Sequence, residues 1–244
     1  MDGNYQAYGW VSSAERIDDI LGQPSGQFVE QDSLPDRDKL TFTNGFYSYC
    51  SALYVDIRES SKLTSAYTRP ILAKIYRSFI SEMVAVLNGT PTVREVSIVG
   101  DCVWAVYNTP QKTDIDEVFR VAFTANTLMR LLNIKFARSG YETLIAAGIG
   151  MDYGRALMIK AGYNGSGIND VVYMGDVVNR AAHLAYKAGR GYSQPIWVGE
   201  TLAQNLNDHN QSLLAEAYSY EMGHYRHGSV VLSTMDEWIE DTFS

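Results

Sequence analysis

Residues 51–63 read SALYVDIRESSKL, an apolar, strand-like run that ends on Asp56 and turns polar at once. β-Branched and aromatic residues favour a pleated strand, and the Arg58–Glu59–Ser60–Ser61 segment supplies turn chemistry after it. Residues two apart on a strand share a face, so Tyr54 and Asp56 project together. Working outward, VREVSIVGD (93–101) and CVWAVYN (102–108) read as two strands meeting at Gly100 and Asp101. That hairpin puts a second aspartate at a strand end. Between the two regions a helix is predicted from about Ser65 to Asn88, with Ile71, Leu72, Ile75, Phe79, Met83 and Leu87 on one face and Gly89 as its stop. TDIDEVFRVAFTANTLMRLLNIKF, beginning at Thr113, reads as a second long helix with an acidic first turn.

After Gly140 the pattern predicts two strands, TLIAAGIGMDY and RALMIKA, a connecting turn YNGSGIND, and a helix from about Asp176 to Ala188. Two further strands and short helices lead to the C-terminus. The order β, α, β, β, α, β is that of an α+β, ferredoxin-like split βαβ sheet with helices on one face. Residues 1–46 are polar and turn-rich and read as an N-terminal extension, the catalytic domain then spanning 47–244. Within the extension SSAERIDDIL predicts one short helix capped by Ser12 or Ser13.

The chain has 244 residues, 46% hydrophobic and 20% charged, enough for one sizeable core with an appendage. Its net charge of −8 argues against nucleic-acid or anionic-membrane binding, which depends on clustered Lys and Arg. Cys50 and Cys102 form no spaced metal or redox pattern and read as ordinary core thiols in a reducing compartment. No leader-like start and no long apolar run is present, so a cytoplasmic protein is expected.

Carboxylates brought together repel unless a cation lies between them, and Mg²⁺ favours one or two protein carboxylates plus nucleotide phosphate oxygens. A polar turn entering a helix can offer backbone N–H groups to such a phosphate. With VDIRESS, SIVGDCVWAVY and YMGDVVNRAAHLA in that order, residues 48–235 resemble the class III nucleotidyl cyclases. The resemblance implies that Asp56, the Ile57 carbonyl and Asp101 hold two Mg²⁺ or Mn²⁺ ions and that Asn179 is the catalytic asparagine. It implies a nucleoside triphosphate substrate bound near Arg58, Ser60 and Ser61, a 3′,5′-cyclic product, and a head-to-tail homodimer with composite sites.

Departures from the family pattern narrow the substrate. Where purine cyclases carry Lys with Asp or Thr, or Glu with Cys, this chain has Ser97 and Val172. The position two before the first aspartate, usually Phe, is Tyr54, which either adds a phenol to the pocket or fills core as a strand aromatic. The run LPDRDKLTFTNGFYSYCSALYVDIRESSKL (34–63) is similar to the bacterial pyrimidine cyclases of Pycsar anti-phage systems. That implies UTP or CTP as substrate, cyclic UMP favoured, and a separate effector protein activated by the product.

The transition-state arginine of the family falls at His183, one helical turn after Asn179 on the same face; Arg180 points about 100° away on an ideal helix. His183 is either a weaker phosphate ligand or a helical histidine satisfied by a neighbour. His224 or Arg226 stands near the position of the family's triphosphate lysine. Two competing classes are a silent cyclase-like nucleotide sensor, which would be expected to lose an aspartate, and a diguanylate cyclase or polymerase palm, whose GG[DE]EF hairpin is here VGDC.

Overall fold

The computed structural model describes residues 2–243. In chain order it contains helix α1 (Trp10–Leu21), strands β1 (Phe28–Gln31) and β2 (Gly45–Ile57), helices α2 (Ser60–Ala66) and α3 (Arg69–Leu87), strands β3 (Val93–Val99) and β4 (Cys102–Tyr107), and helix α4 (Lys112–Arg138). Strands β5 (Ala147–Gly162) and β6 (Asn169–Met174), helix α5 (Asp176–Lys187), strand β7 (Ile196–Gly199) and helices α6 (Glu200–Ala203) and α7 (Asp208–Ser212) follow. Strands β8 (Ala215–Ser219) and β9 (Gly223–Gly228) and helix α8 (Ser233–Phe243) complete the described chain.

One sheet runs β3-β4-β2-β5-β7-β9-β8, with β1 parallel to the start of β2 and β6 antiparallel to the end of β5. Its first four strands, crossed by α3 and α4, form the split βαβ arrangement: β4 separates β2 from β3, its successor strand. Strand alternation divides the core in two. Leu53, Val55 and Ile57 of β2 meet Ile75, Phe79 and Met83 of α3 and Val118, Phe119 and Ala122 of α4. Cys50 and Ala52 meet Met158, Val171, Tyr173, Val178 and Ala181, together with Leu34 and Leu40 from the N-terminal region. The expectation of helices on one face is therefore corrected, since α5, β6 and residues 34–40 cover the second face.

Other boundaries also move. The helix expected from Ser65 is two helices: α2 ends at an extended Tyr67, and Pro70, lacking an N–H, begins α3 instead of continuing α2. The two strands expected over 143–161 are one, because β5 pairs with β2 without interruption from Ala147↔Ile57 to Ile159↔Gly45. The turn YNGSGIND leads into β6, a strand the pattern did not predict, and three strands rather than two follow α5. Gly9, not Ser12 or Ser13, is the N-cap of α1, and the Ser12 hydroxyl donates back to the Gly9 carbonyl at 3.0 Å. The acidic turn of α4 is a capping box: the Gln111 N–H donates to Asp114 Oδ2 at 3.0 Å.

Two further observations bear on class. Burial pushes the thiols of Cys50 and Cys102 up to about 12, the charges of Asp56 and Asp101 adding to the rise at Cys102. Cys50 is the core thiol expected, whereas Cys102, at the start of β4, is only partly buried. Among the described residues no helix is long and apolar enough to cross a membrane.

Candidate active site

Strand register brings the two aspartates together. Asp56 of β2 pairs with Cys102 of β4, and Asp101 lies just beyond it in the turn that Gly100 closes with a φ of +63°. Burial raises the Asp56 pKa, Arg58 opposes that rise, and the charge of Asp101 adds to it. Two hard oxygen donors that repel each other at a strand end suit a divalent cation, so the residues present fit the metal the motif implies.

Arg58 is buried, and its guanidinium is held by protein acceptors. Nη2 donates to Asp56 Oδ2 and to the Ala185 carbonyl, each at 2.8 Å, and Nη1 donates to the Tyr186 carbonyl at 2.8 Å. The side chain expected at the substrate thus ties Asp56 to the C-terminal end of α5, where carbonyls lack helical partners. After it Glu59 adopts the left-handed region (φ 53°, ψ 33°), and Ser60 and Ser61 open α2 with first-turn N–H groups free of intrahelical acceptors.

The close approach of α5 has a local cause. Tyr54 and Asp56 pair with Gly150 and Gly148 of β5, and a Cβ on Gly150 would lie 2.0 Å from the Ala185 backbone nitrogen. Only glycine admits the helix there. On the outward side of α5, Asn179 and His183 are exposed one turn apart, as their spacing predicts. Arg180 faces elsewhere: it donates to the His224 carbonyl and lies 3.5 Å from buried Asp152. Arg226 pairs with Glu216 at 3.2 Å and Glu200 at 3.7 Å, while His224 is exposed beside Tyr218.

Tyr54, Ser97 and Val172 converge on one cleft of about 390 Å³ between β3, β4, β6 and α5. Its wall is a stack: the Tyr54 and Trp104 rings lie 5.0 Å apart and within 3° of parallel. Burial raises the Tyr54 pKa, with Cys102 adding to the rise, so Tyr54 stays a neutral phenol able to donate. Tyr54 therefore lines the cleft and also packs against the second-face core.

Several residues were not singled out by the sequence. Glu95, Trp104, Asp170 and Tyr173 also line the cleft. Arg190 follows α5, stacks on Tyr186 at 4.3 Å, and is near enough to lower the Asp56 pKa. Tyr76 of α3 reaches toward Ser60 and Asp101: burial raises its pKa, the charge of Asp101 adds to the rise, and Ser60 opposes it. Period-2 alternation carried a signal for Glu95 and Trp104, which share faces with Ser97 and Tyr54; nothing local marked Arg190 or Tyr76.

Comparison with known proteins agrees with this geometry. Residues 44–228 match the model of the adenylate and guanylate cyclase catalytic domain. A uridylate cyclase of Gulbenkiania mobilis is 37% identical over 257 residues, covering 99% of each chain. A uridylate cyclase of Treponema porcinum is 36% identical over 234 residues, covering 95% of this chain and 81% of its own. The crystal structure of the adenylyl cyclase CyaB from P. aeruginosa superposes with a TM-score of 0.62 at 16% identity, covering 75% of this chain and 95% of that one, and so shares the fold. Class III cyclases work with divalent metal ions and are often dimeric. By motif order, fold and the length of the match, this chain belongs to the class III nucleotidyl cyclases.

Proposed function

We propose that this protein is a uridylate cyclase, converting UTP to 3′,5′-cyclic UMP and pyrophosphate. The observation that carries the reading is the single cleft uniting Tyr54, Ser97 and Val172 on the sheet face that also presents Asp56. Neither purine-reading pair is present in it, and the Tyr54–Trp104 stack supplies a flat wall for a base. Two relatives named uridylate cyclase, matched over most of their length, support the same substrate.

Asp56, the Ile57 carbonyl and Asp101 would hold two Mg²⁺ or Mn²⁺ ions. When bound, these supply positive charge that acidifies the ribose 3′-hydroxyl and offsets the triphosphate. Arg58 holds the Asp56 carboxylate in place from behind. The N–H groups of Ser60 and Ser61 meet phosphate oxygens, and Asn179 orients the ribose from α5. The 3′-oxygen bonds to the α-phosphorus, the bond to the bridging oxygen breaks, pyrophosphate departs with the electron pair, and the hydroxyl proton passes to solvent. His183, when protonated, steadies charge on the phosphate less strongly than an arginine would.

The metal-bearing aspartates and the α5 asparagine act across a two-fold axis of a homodimer, so each site draws on both chains. The wider role is a cytoplasmic second-messenger source in anti-phage defence, whose product activates a separate effector protein. Purified protein incubated with Mn²⁺ and each of the four nucleoside triphosphates is expected to yield cyclic UMP, identified by mass. Preferential cyclic AMP or GMP would overturn the pyrimidine reading; preferential cyclic CMP would move the assignment to cytidylate cyclase.

A further inference from the structure

Resting on the uridylate cyclase reading, we propose that Arg37 and Glu95 form the nucleobase reader of the cleft, Glu95 accepting the uracil N3–H and Arg37 donating to O4. Glu95 lies two residues before Ser97 on β3, on the same face, and its side chain lines the cleft. The Arg37 guanidinium stands at the rim, 3.4 Å from Glu95 Oε1, and its other terminal nitrogen pairs with Asp170. Tyr173 lines the cleft beside Glu95; burial raises the Glu95 pKa and the charge of Asp170 adds to the rise, while Arg37 and Tyr173 oppose it.

Arg37 reaches this point because its segment is anchored. Leu34 and Leu40 are buried on either side of it, and the Leu34 N–H donates to Asn108 Oδ1 at 2.8 Å. A residue outside the βαββαβ unit is thereby fixed against a strand of it, and Asp170 of β6 holds it from the other side. Glu95 is nearly enclosed, with 11% of its side chain exposed, whereas Arg37 is 58% exposed. A buried acceptor beside a reachable donor is a directional pattern that a base edge can complement or oppose.

The pattern discriminates by chemistry. Uracil presents an acceptor, O4, next to a donor, N3–H, and complements the Arg37–Glu95 pair. Cytosine presents the reverse, an amino donor next to an acceptor nitrogen, and would set donor against donor and acceptor against acceptor. Adenine repeats the cytosine pattern and is opposed in the same way. Guanine repeats the uracil pattern, so its exclusion falls to ring size, set by the Tyr54–Trp104 stack and Tyr173 in a cleft of about 390 Å³. The pair separates keto from amino bases, and the walls separate one ring from two.

Glu95→Gln offers both a donor and an acceptor and abolishes the preference, and Arg37→Gln, at an exposed position, tests the same edge in a chain whose packing is untouched. The kcat/KM for UTP is expected to fall about ten- to a hundredfold in each, with that for CTP unchanged or higher and GTP still rejected. Independently of turnover, UDP should raise the thermal midpoint of the wild type more than CDP does, and this difference should vanish in both variants. An equal fall for UTP and CTP, or an unchanged ratio in Arg37→Gln, would overturn the assignment. If the wild type cyclises UTP and the ratio survives both changes, the reader alone is refuted; if it cyclises neither pyrimidine nucleotide, the reader falls with the reading beneath it.

Discussion

Under the proposed mechanism Asp56 and Asp101 share the task of holding metal but not an environment. Asp101 sits in a hairpin turn, so Asp101→Ala is expected to lower turnover at least about a thousandfold with the thermal midpoint unchanged, as removal of a metal ligand should. Asp56 is also the charged partner of Arg58, whose side chain is only 4% exposed. Its replacement by Ala leaves that charge buried with carbonyl acceptors alone, and about 3 kcal/mol of stability should be lost beside the activity. Asp56→Asn, which keeps an acceptor for Arg58, should recover most of the stability and none of the turnover; denaturation and product assays on the three variants check this.

A second buried carboxyl carries a pH signature. Burial pushes Asp152 from 3.8 up to about 6, against the opposing pull of the Tyr153 N–H and of Arg180. The folded state thus holds a proton that the unfolded chain has already released, so this group lowers stability as pH rises from about 4 to about 6 and imposes its full cost above that. The displacement corresponds to about 3 kcal/mol. Asp152→Asn is expected to flatten that part of the profile and to be the more stable chain at pH 7. Urea denaturation between pH 4 and 7 reads the difference; parallel curves for the two proteins would assign the slope to other groups.

At the scale of elements, the site depends on how closely α5 lies on β5. Gly150→Ala would put a methyl 2.0 Å from one backbone atom of α5 and 2.3 Å from another, neither of which can yield as a side chain can. The helix must shift, at a cost of about 3 kcal/mol, and it carries Asn179 and the carbonyls that hold Arg58 away from their places. Gly154→Ala in the same strand meets nothing nearer than Val177 Cβ at 3.4 Å and should change stability by about 0.5 kcal/mol or less. Thermal midpoints and kcat/KM of the two alanine variants are expected to diverge; equal effects would show a general cost of losing glycine in β5. The helix spacing that kept His183 beside Asn179 was readable beforehand, whereas the glycines opposite Tyr54 and Asp56 acquire meaning only from the register.

At the scale of the whole molecule, the exposed Asn179 face and the Asp56–Asp101 edge are the two halves of a composite site under the proposed assembly. Asp101→Ala and Asn179→Ala each inactivate both sites of their own homodimer. In a mixed dimer one site joins the intact aspartates of one chain to the intact asparagine of the other. Random exchange makes half the dimers mixed and half of their sites sound, so about a quarter of wild-type activity should return. No recovery after verified subunit exchange would place each site within one chain.

What the sequence by itself determined was whatever local geometry encodes. Period-2 alternation placed Tyr54 beside Asp56, a Gly–Asp turn put Asp101 at a strand end, and 3.6-residue periodicity put His183 over Asn179. These relations span a few residues, and backbone geometry sets them before any long-range contact forms. Tertiary structure decided the rest. Arg58 is read as a phosphate-turn residue until α5 brings carbonyls to it from 127 residues away, and Arg37 is one charge in a polar extension until β6 brings Asp170 from 133 residues away. The strand β6 escaped notice because its run is short and half exposed, with nothing but its pairing to β5 to make it a strand. Which face each helix covers, and which distant charges meet over the cleft, follows from sheet register and burial, and neither is written in any window of the chain short enough to carry a period.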